Sequence, residues 1–198
     1  PKLNIVEPIQ TATREITMEL PSQPWYIEGY HRPAVNHPDS VIYDMITSIL
    51  SDGRTSRLYQ SLVEKQQIAL VAEGFSGYPG SKYPHLILFY AMTAPNSDID
   101  EVGAALQTEI EKLKTELVSD EELDRVKTQA RASLLRSLDS NMGMASALLN
   151  YEVKTGSWQN LFKELDAINA VTREDIQRVA QKTFLAENRT IGRLLPKE

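Results

Sequence analysis

The sequence predicts an α+β fold: a mainly antiparallel sheet of about five or six strands, flanked on one face by helices. Three observations predict it. Strand-like and helix-like stretches come in runs and do not strictly alternate, in the order β-β-α-α-β-β-α-α-α-α-α-β. From Asp98 almost ninety residues read as helix. A final strand-like stretch, Asn188 to Leu195, returns to the sheet and is closed by Pro196.

Taken in order, residues 1–13 read as a linker or edge segment. In REITMEL, Ile16, Met18 and Leu20 alternate with polar residues, the period-two mark of a half-buried strand. The aromatic stretch Trp25 to His31 is a second strand, and prolines at 21, 24 and 33 bound the two because proline cannot donate to a ladder. They form either a hairpin or two separate members of the sheet. After Pro38, apolar residues at Val41, Ile42, Met45, Ile46, Ile49 and Leu50 make a helical stripe, with Asp39 placed to cap its first turn. Ser51-Asp52-Gly53 is a stop signal, since glycine tolerates the left-handed conformation. A second helix from about Thr55 carries Leu58, Leu62 and Val63 into the strand Leu70 to Phe75.

The apolar run HLILFYAM, His85 to Met92, is expected in the middle of the sheet. Ile99, Val102, Leu106, Ile110, Leu113 and Leu117 mark an amphipathic helix, and Ser119 with Glu122 forms a capping box opening the next, which carries Leu123, Val126, Ala130, Leu134 and Leu138. Three shorter helices follow, with Gly156 as a stop and Thr172 as a start. No linker divides the chain, so residues 1–198 are expected to form a single domain.

Composition narrows the function classes. A chain of 198 residues with 41% hydrophobic and 24% charged residues can bury about 70% of its unfolded surface, enough for a proper core. The net charge of -6 argues against a nucleic-acid partner. Without cysteine there are no disulfides and no thiolate chemistry, and the compartment stays open. No apolar run is long enough to span a bilayer. The sequence starts PKLNIVEPIQ, without methionine, and is expected to be a piece of something longer.

Motifs for chemistry are scarce. His31 and His37 lack the i, i+4 spacing that lets two imidazoles on one helix share zinc, and they read as loop-anchoring residues; His85 reads as a strand-edge residue. Acidic residues cluster at helix starts (Asp98, Asp100 and Glu101; Asp120, Glu121 and Glu122), where they meet the positive end of the dipole. The chain carries neither a nucleophile elbow nor a phosphate-binding glycine loop.

Four phrases together resemble the second homologous half of subunits in the pitrilysin/insulinase family of zinc metallopeptidases, the group that includes mitochondrial processing peptidase. They are GYHRPAVNHPDS (29–40), ILSDGRTSRLYQSLVEKQQIALVAEGF (49–75), SDEELDRVKTQARASLLRSLDS (119–140) and AVTREDIQRVAQKTFLAENRTIGRLLP (170–196). The resemblance implies an α+β half of a clamshell, paired with a zinc-bearing N-terminal half of the same parent chain and with a second family subunit, around a chamber for peptide substrates. Zinc belongs to the parent: the inverted motif His-x-x-Glu-His is absent here, and no metal ligand or catalytic residue is expected in this chain. Second halves that face the zinc commonly read Leu-Arg-Glu-Lys-x-Gly-Leu-Ala-Tyr, with the Arg and Tyr holding substrate. Here the segment is LVEKQQIAL, so Val63 and Leu70 occupy those two positions and can donate no hydrogen bond. The resemblance thus implies a non-catalytic half of a peptidase, or a structural subunit of the same fold such as the core proteins of respiratory complexes.

Overall fold

The structure, a computed structural model, describes residues 8–197. Five strands form one sheet: β1 (Arg14–Leu20), β2 (Trp25–Arg32), β3 (Ala69–Tyr78), β4 (His85–Thr93) and β5 (Arg189–Pro196), in the spatial order β1-β5-β2-β4-β3. All ladders are antiparallel except β1 with β5. β1 and β2 do not make a hairpin, because the returning β5 is inserted between them. The central strand is β2, and β4 lies between β2 and β3.

Among the described residues six of the seven predicted helices are α-helices: α1 (Ser40–Ser51), α2 (Ile99–Thr115), α3 (Asp120–Ser137), α4 (Asn141–Thr155), α5 (Glu164–Ala170) and α6 (Arg173–Thr183). α1 lies against β3, while α2 and α6 lie against β2; α3 and α5 form an outer layer on α1. The core fills the space between: Ile42, Ile46 and Ile49 of α1, Leu106 and Ile110 of α2 and Ile176 and Val179 of α6 meet Tyr30, Ile87, Phe89 and Ile191 of the sheet. Phe184 closes this core edge-on to Tyr30.

Helix ends obey local chemistry. Ser119 and Glu122 close the predicted capping box on α3, Thr172 and Asp175 do the same for α6, and Gly156 ends α4 at φ +84°. Asp39 departs from expectation. It stands at the N-cap of α1 but caps nothing; its carboxylate is held by Arg178 of α6, Oδ1 3.0 Å from Nη2. A cation from another helix outcompetes the orphan amides. α2 stops before Leu117, which is exposed.

Helices cover only one face. Along β4, Ile87, Phe89, Ala91 and Thr93 are buried beneath them, whereas Leu86, Leu88, Tyr90 and Met92 are half-exposed on the other side. The apolar run therefore does not mark a strand covered on both faces within this chain. Nor is β1 half-buried: Ile16 and Met18 are 58% and 56% exposed. The register puts Ile16, Met18, Trp25, Ile27, Phe75 and Tyr90 on that same uncovered face. Of the expected linker, residues 1–7 lie outside the described residues; Gln10 and Thr13 are tied to the entry of β5 by side-chain hydrogen bonds to the carbonyls of Arg189 and Ala186.

Candidate functional site

The segment between α1 and β3 carries the two positions of interest. Gly53, at φ +74°, turns the chain out of α1, and Arg57 and Leu58 begin a helix that widens into a π-helical segment, Tyr59–Lys65. Its wide turns show in the exit: the amide of Gln66 donates to the carbonyl of Ser61, and that of Ile68 to Leu62. Such segments are rare and recur at functional positions. Buried Leu58 and Leu62 anchor it, and Arg57 clamps it to α3 through Glu122.

Val63 sits half-buried in that segment and packs on the core. Leu70 is 52% exposed at a register shift between Ala69 and Val71 at the start of β3, an edge strand. Both side chains are hydrocarbon and present no donor to a peptide carbonyl or an oxyanion. Between them Gln67 stands where the family motif has glycine, and it holds φ +55°.

The three histidines are not brought together in one site. His31 lies on the uncovered sheet face at the end of β2, opposite Leu86. His37 lies before α1, its Nδ1 accepting from the Asp39 amide at 3.1 Å. His85 is the first residue of β4; it is buried, with Nδ1 2.9 Å from the Tyr83 carbonyl. Among the described residues no group of three His, Cys, Asp or Glu side chains could hold a metal ion.

Two polar constellations carry no motif. On the covered face, Tyr26, Glu28, Tyr30 and Arg32 follow one another at period two along β2. Both tyrosine hydroxyls donate to the fully buried Glu28 at 2.6 Å, with Arg189 Nη1 3.6 Å away. Burial pushes the Glu28 carboxyl up, opposed by the tyrosine hydrogen bonds and the arginines. Tyr-x-Glu-x-Tyr-x-Arg was a signal available in the sequence: one face of a strand carrying this many hydrogen-bonding groups demands a network.

Arg32 instead reaches α1, 3.1 Å from Asp44. Asp44 opens onto a cavity of about 600 Å³ between α1, α3, α4 and α5, shared with Gln129, Tyr151 and Glu164. Asp44 is 58% exposed and is held by Arg32; burial pushes the half-buried Glu164 carboxyl up, a hydrogen bond from Tyr151 opposes it, and the nearby charge of Asp44 adds to the rise. Asp44 and Glu164 are 120 positions apart, and nothing in the sequence links them.

Comparison with known proteins bears on the fold and on this site. Residues 1–130 match the model of the peptidase M16 inactive domain. The zinc protease PqqE of Helicobacter pylori is 28% identical over 165 residues, which are 81% of this chain and 35% of that protein. The chain spans about a third of the length of the curated relatives it matches. The crystal structure of a protease from Helicobacter pylori superposes with a TM-score of 0.88 at 26% identity, over 99% of this chain and 47% of the other. The inactive peptidase domain of a proposed zinc protease from Bordetella parapertussis superposes with a TM-score of 0.81 at 29% identity, over 91% of this chain and 96% of the other.

Proposed function

Because the chain belongs to the peptidase M16 inactive domain family, we propose that it serves as the non-catalytic C-terminal half of a zinc-dependent endopeptidase and walls the chamber that encloses peptide substrates. Zinc and the hydrolytic water belong to a preceding half of the same parent chain, and a second family subunit closes the clamshell. The observation that carries this reading is the uncovered sheet face. Ile16, Met18, Ile27 and Phe75 lie exposed on it, beside half-exposed Trp25, Leu88, Tyr90 and Met92. A contiguous apolar surface of this kind marks an interface. Paired against the zinc-bearing half it would be removed from water.

Val63 and Leu70 shape the assignment within the parent. Lacking donors, they contribute no transition-state stabilisation; the second subunit supplies it. The same two residues also favour a structural subunit without peptidase activity, and one experiment separates the readings. Zinc content and peptide cleavage are measured for this chain alone, for the chain joined to the segment encoded upstream, and for the joined halves with a second family subunit. The expected outcome is zinc only in the joined halves and cleavage only with the partner present. Stoichiometric zinc and cleavage by this chain alone would overturn the reading, and silence in every combination would favour the structural subunit.

A further inference from the structure

The two edges of the sheet are not alike. The β3 edge is broken twice, by register shifts between Ala69 and Val71 and between Ser76 and Tyr78, and Gly77 turns it at φ +104°. Such irregularities blunt an edge against further pairing. The β1 edge has none. Its register with β5 runs unbroken from Arg14 to Leu20, all seven residues are exposed, and no lysine, proline or bulge interrupts it. Among the described residues no strand pairs with its outer side.

The backbone groups on that outer side can be named. The amide of Lys197 donates to the carbonyl of Leu20 at 2.9 Å, so Leu20 faces β5. By the two-residue period, Met18, Ile16 and Arg14 face β5 as well, and the N–H and C=O groups of Glu15, Thr17 and Glu19 point outward. Their side chains project to the helix side of the sheet, while Ile16, Met18 and Leu20 project to the uncovered face. A strand added here would bury apolar residues beside Ile16 and Met18 and place its alternate residues beside Glu15 and Glu19.

A second copy of the chain does not fit this pattern. Glu15 is ion-paired with Arg193 at 2.8 Å, but that arginine is shared with Asp100 at 3.0 Å; antiparallel pairing of the whole strand with its copy sets each Glu15 opposite Glu19, and the excess negative charge opposed there destabilises a ladder. We infer that the outer edge of β1 binds an extended segment of another polypeptide as a sixth strand, one in which apolar residues alternate with lysine or arginine. Main-chain hydrogen bonds to Glu15, Thr17 and Glu19 supply affinity, and the Glu19 carboxylate with the apolar row supplies selection, Glu15 being already paired with Arg193. This edge lies across the sheet from Val63 and Leu70, and its binding does not depend on the assignment of the zinc.

The test uses this chain and a fluorescent peptide of alternating valine and lysine long enough to span β1. Three comparison peptides carry glutamate for lysine, the same residues in scrambled order, and N-methylated backbone amides on the pairing side. Thr17→Pro removes one outward N–H and no bond to β5, a placement edge strands tolerate, and circular dichroism checks its fold. The expected result is saturable binding by the alternating peptide, with slowed hydrogen exchange in residues 14–20, and a loss of affinity of about tenfold or more for Thr17→Pro and for each comparison peptide. Equal binding by the N-methylated or scrambled peptide would overturn the proposal, even if Thr17→Pro failed to fold. So would self-association of the chain that Thr17→Pro abolishes, since the edge would then belong to a second copy.

Discussion

Arg57 and Glu122 meet through two parallel hydrogen bonds, Nε to Oε1 and Nη2 to Oε2, both 2.8 Å. Glu122 is at the same time the third residue of α3 and closes its capping box, its Oε2 accepting from the Ser119 amide at 3.1 Å. One carboxylate therefore ties the turn after α1 to the start of α3. Both side chains are mostly shielded, 16% and 26% exposed. Arg57→Ala is expected to cost about 1–2 kcal/mol, more than an open surface pair and less than a fully buried one. The hydrogen bonds from Arg57 are the chief cause that holds the Glu122 carboxyl below the usual range. Its contribution is therefore present above the unfolded glutamate pKa of about 4.3 and fades as pH falls through the lower folded value. Chemical denaturation of wild type and variant at neutral and acidic pH reads both effects.

Glu28 has the opposite sign. Burial raises its carboxyl above the ordinary value, so the folded state holds a proton more firmly than the unfolded one. Stability attached to this group is fully present below about pH 4.3 and declines as pH rises toward the folded value. Glu28→Gln keeps the shape and an acceptor for a tyrosine hydroxyl while removing the titration. The variant is expected to gain on wild type as pH rises from 4 to 7, whereas Glu28→Ala, which leaves Arg189 without its carboxylate and opens a cavity, loses about 3–5 kcal/mol. Melting temperatures of the three proteins across that pH range decide it. A wild-type advantage over Glu28→Gln that grows with pH would contradict the assignment.

Close approach of α2 to β2 depends on Gly103. A Cβ at that position would lie 2.5 Å from the Tyr26 ring, whose hydroxyl is fixed on Glu28 and cannot swing away freely. Gly103→Ala is expected to destabilise by about 1–3 kcal/mol despite alanine's better helix propensity. Pairing it with Tyr26→Phe, which frees the ring from Glu28, should recover part of that loss in a thermal melt.

Most of the fold was legible from punctuation and period. Gly53, Ser119, Gly156 and Thr172 mark ends where the structure has them, because capping chemistry is local. What was not legible depends on partners distant in sequence. Period two along Ile16, Met18 and Leu20 identifies a strand but not whether its apolar side is covered, and here the described residues supply no cover. Asp39 has a cap's sequence context, yet Arg178, 139 positions away, takes its carboxylate. Within the candidate site, Val63 and Leu70 were recognisable only by alignment to a motif, since valine and leucine carry no chemical signal of their own. The meeting of Asp44 and Glu164 at one cavity needed the helices to be packed first.

Gln67 stores strain that a single substitution should release. At φ +55° its Cβ crowds the following carbonyl, a conformation costing an L-residue about 1–2 kcal/mol. Glycine avoids that cost but gives up about 0.5–1 kcal/mol in unfolded-state entropy. Gln67 is exposed, so its side chain contributes little packing to lose. Gln67→Gly is therefore expected to stabilise the chain by about 0.5–1 kcal/mol, with asparagine intermediate because its short side chain tolerates the left-handed region. Urea titrations of the three proteins test the order. Glycine below glutamine would mean that the Gln67 side chain gives the π-helical exit more than its backbone costs, and that the turn between Val63 and Leu70 is held by contacts rather than by conformation.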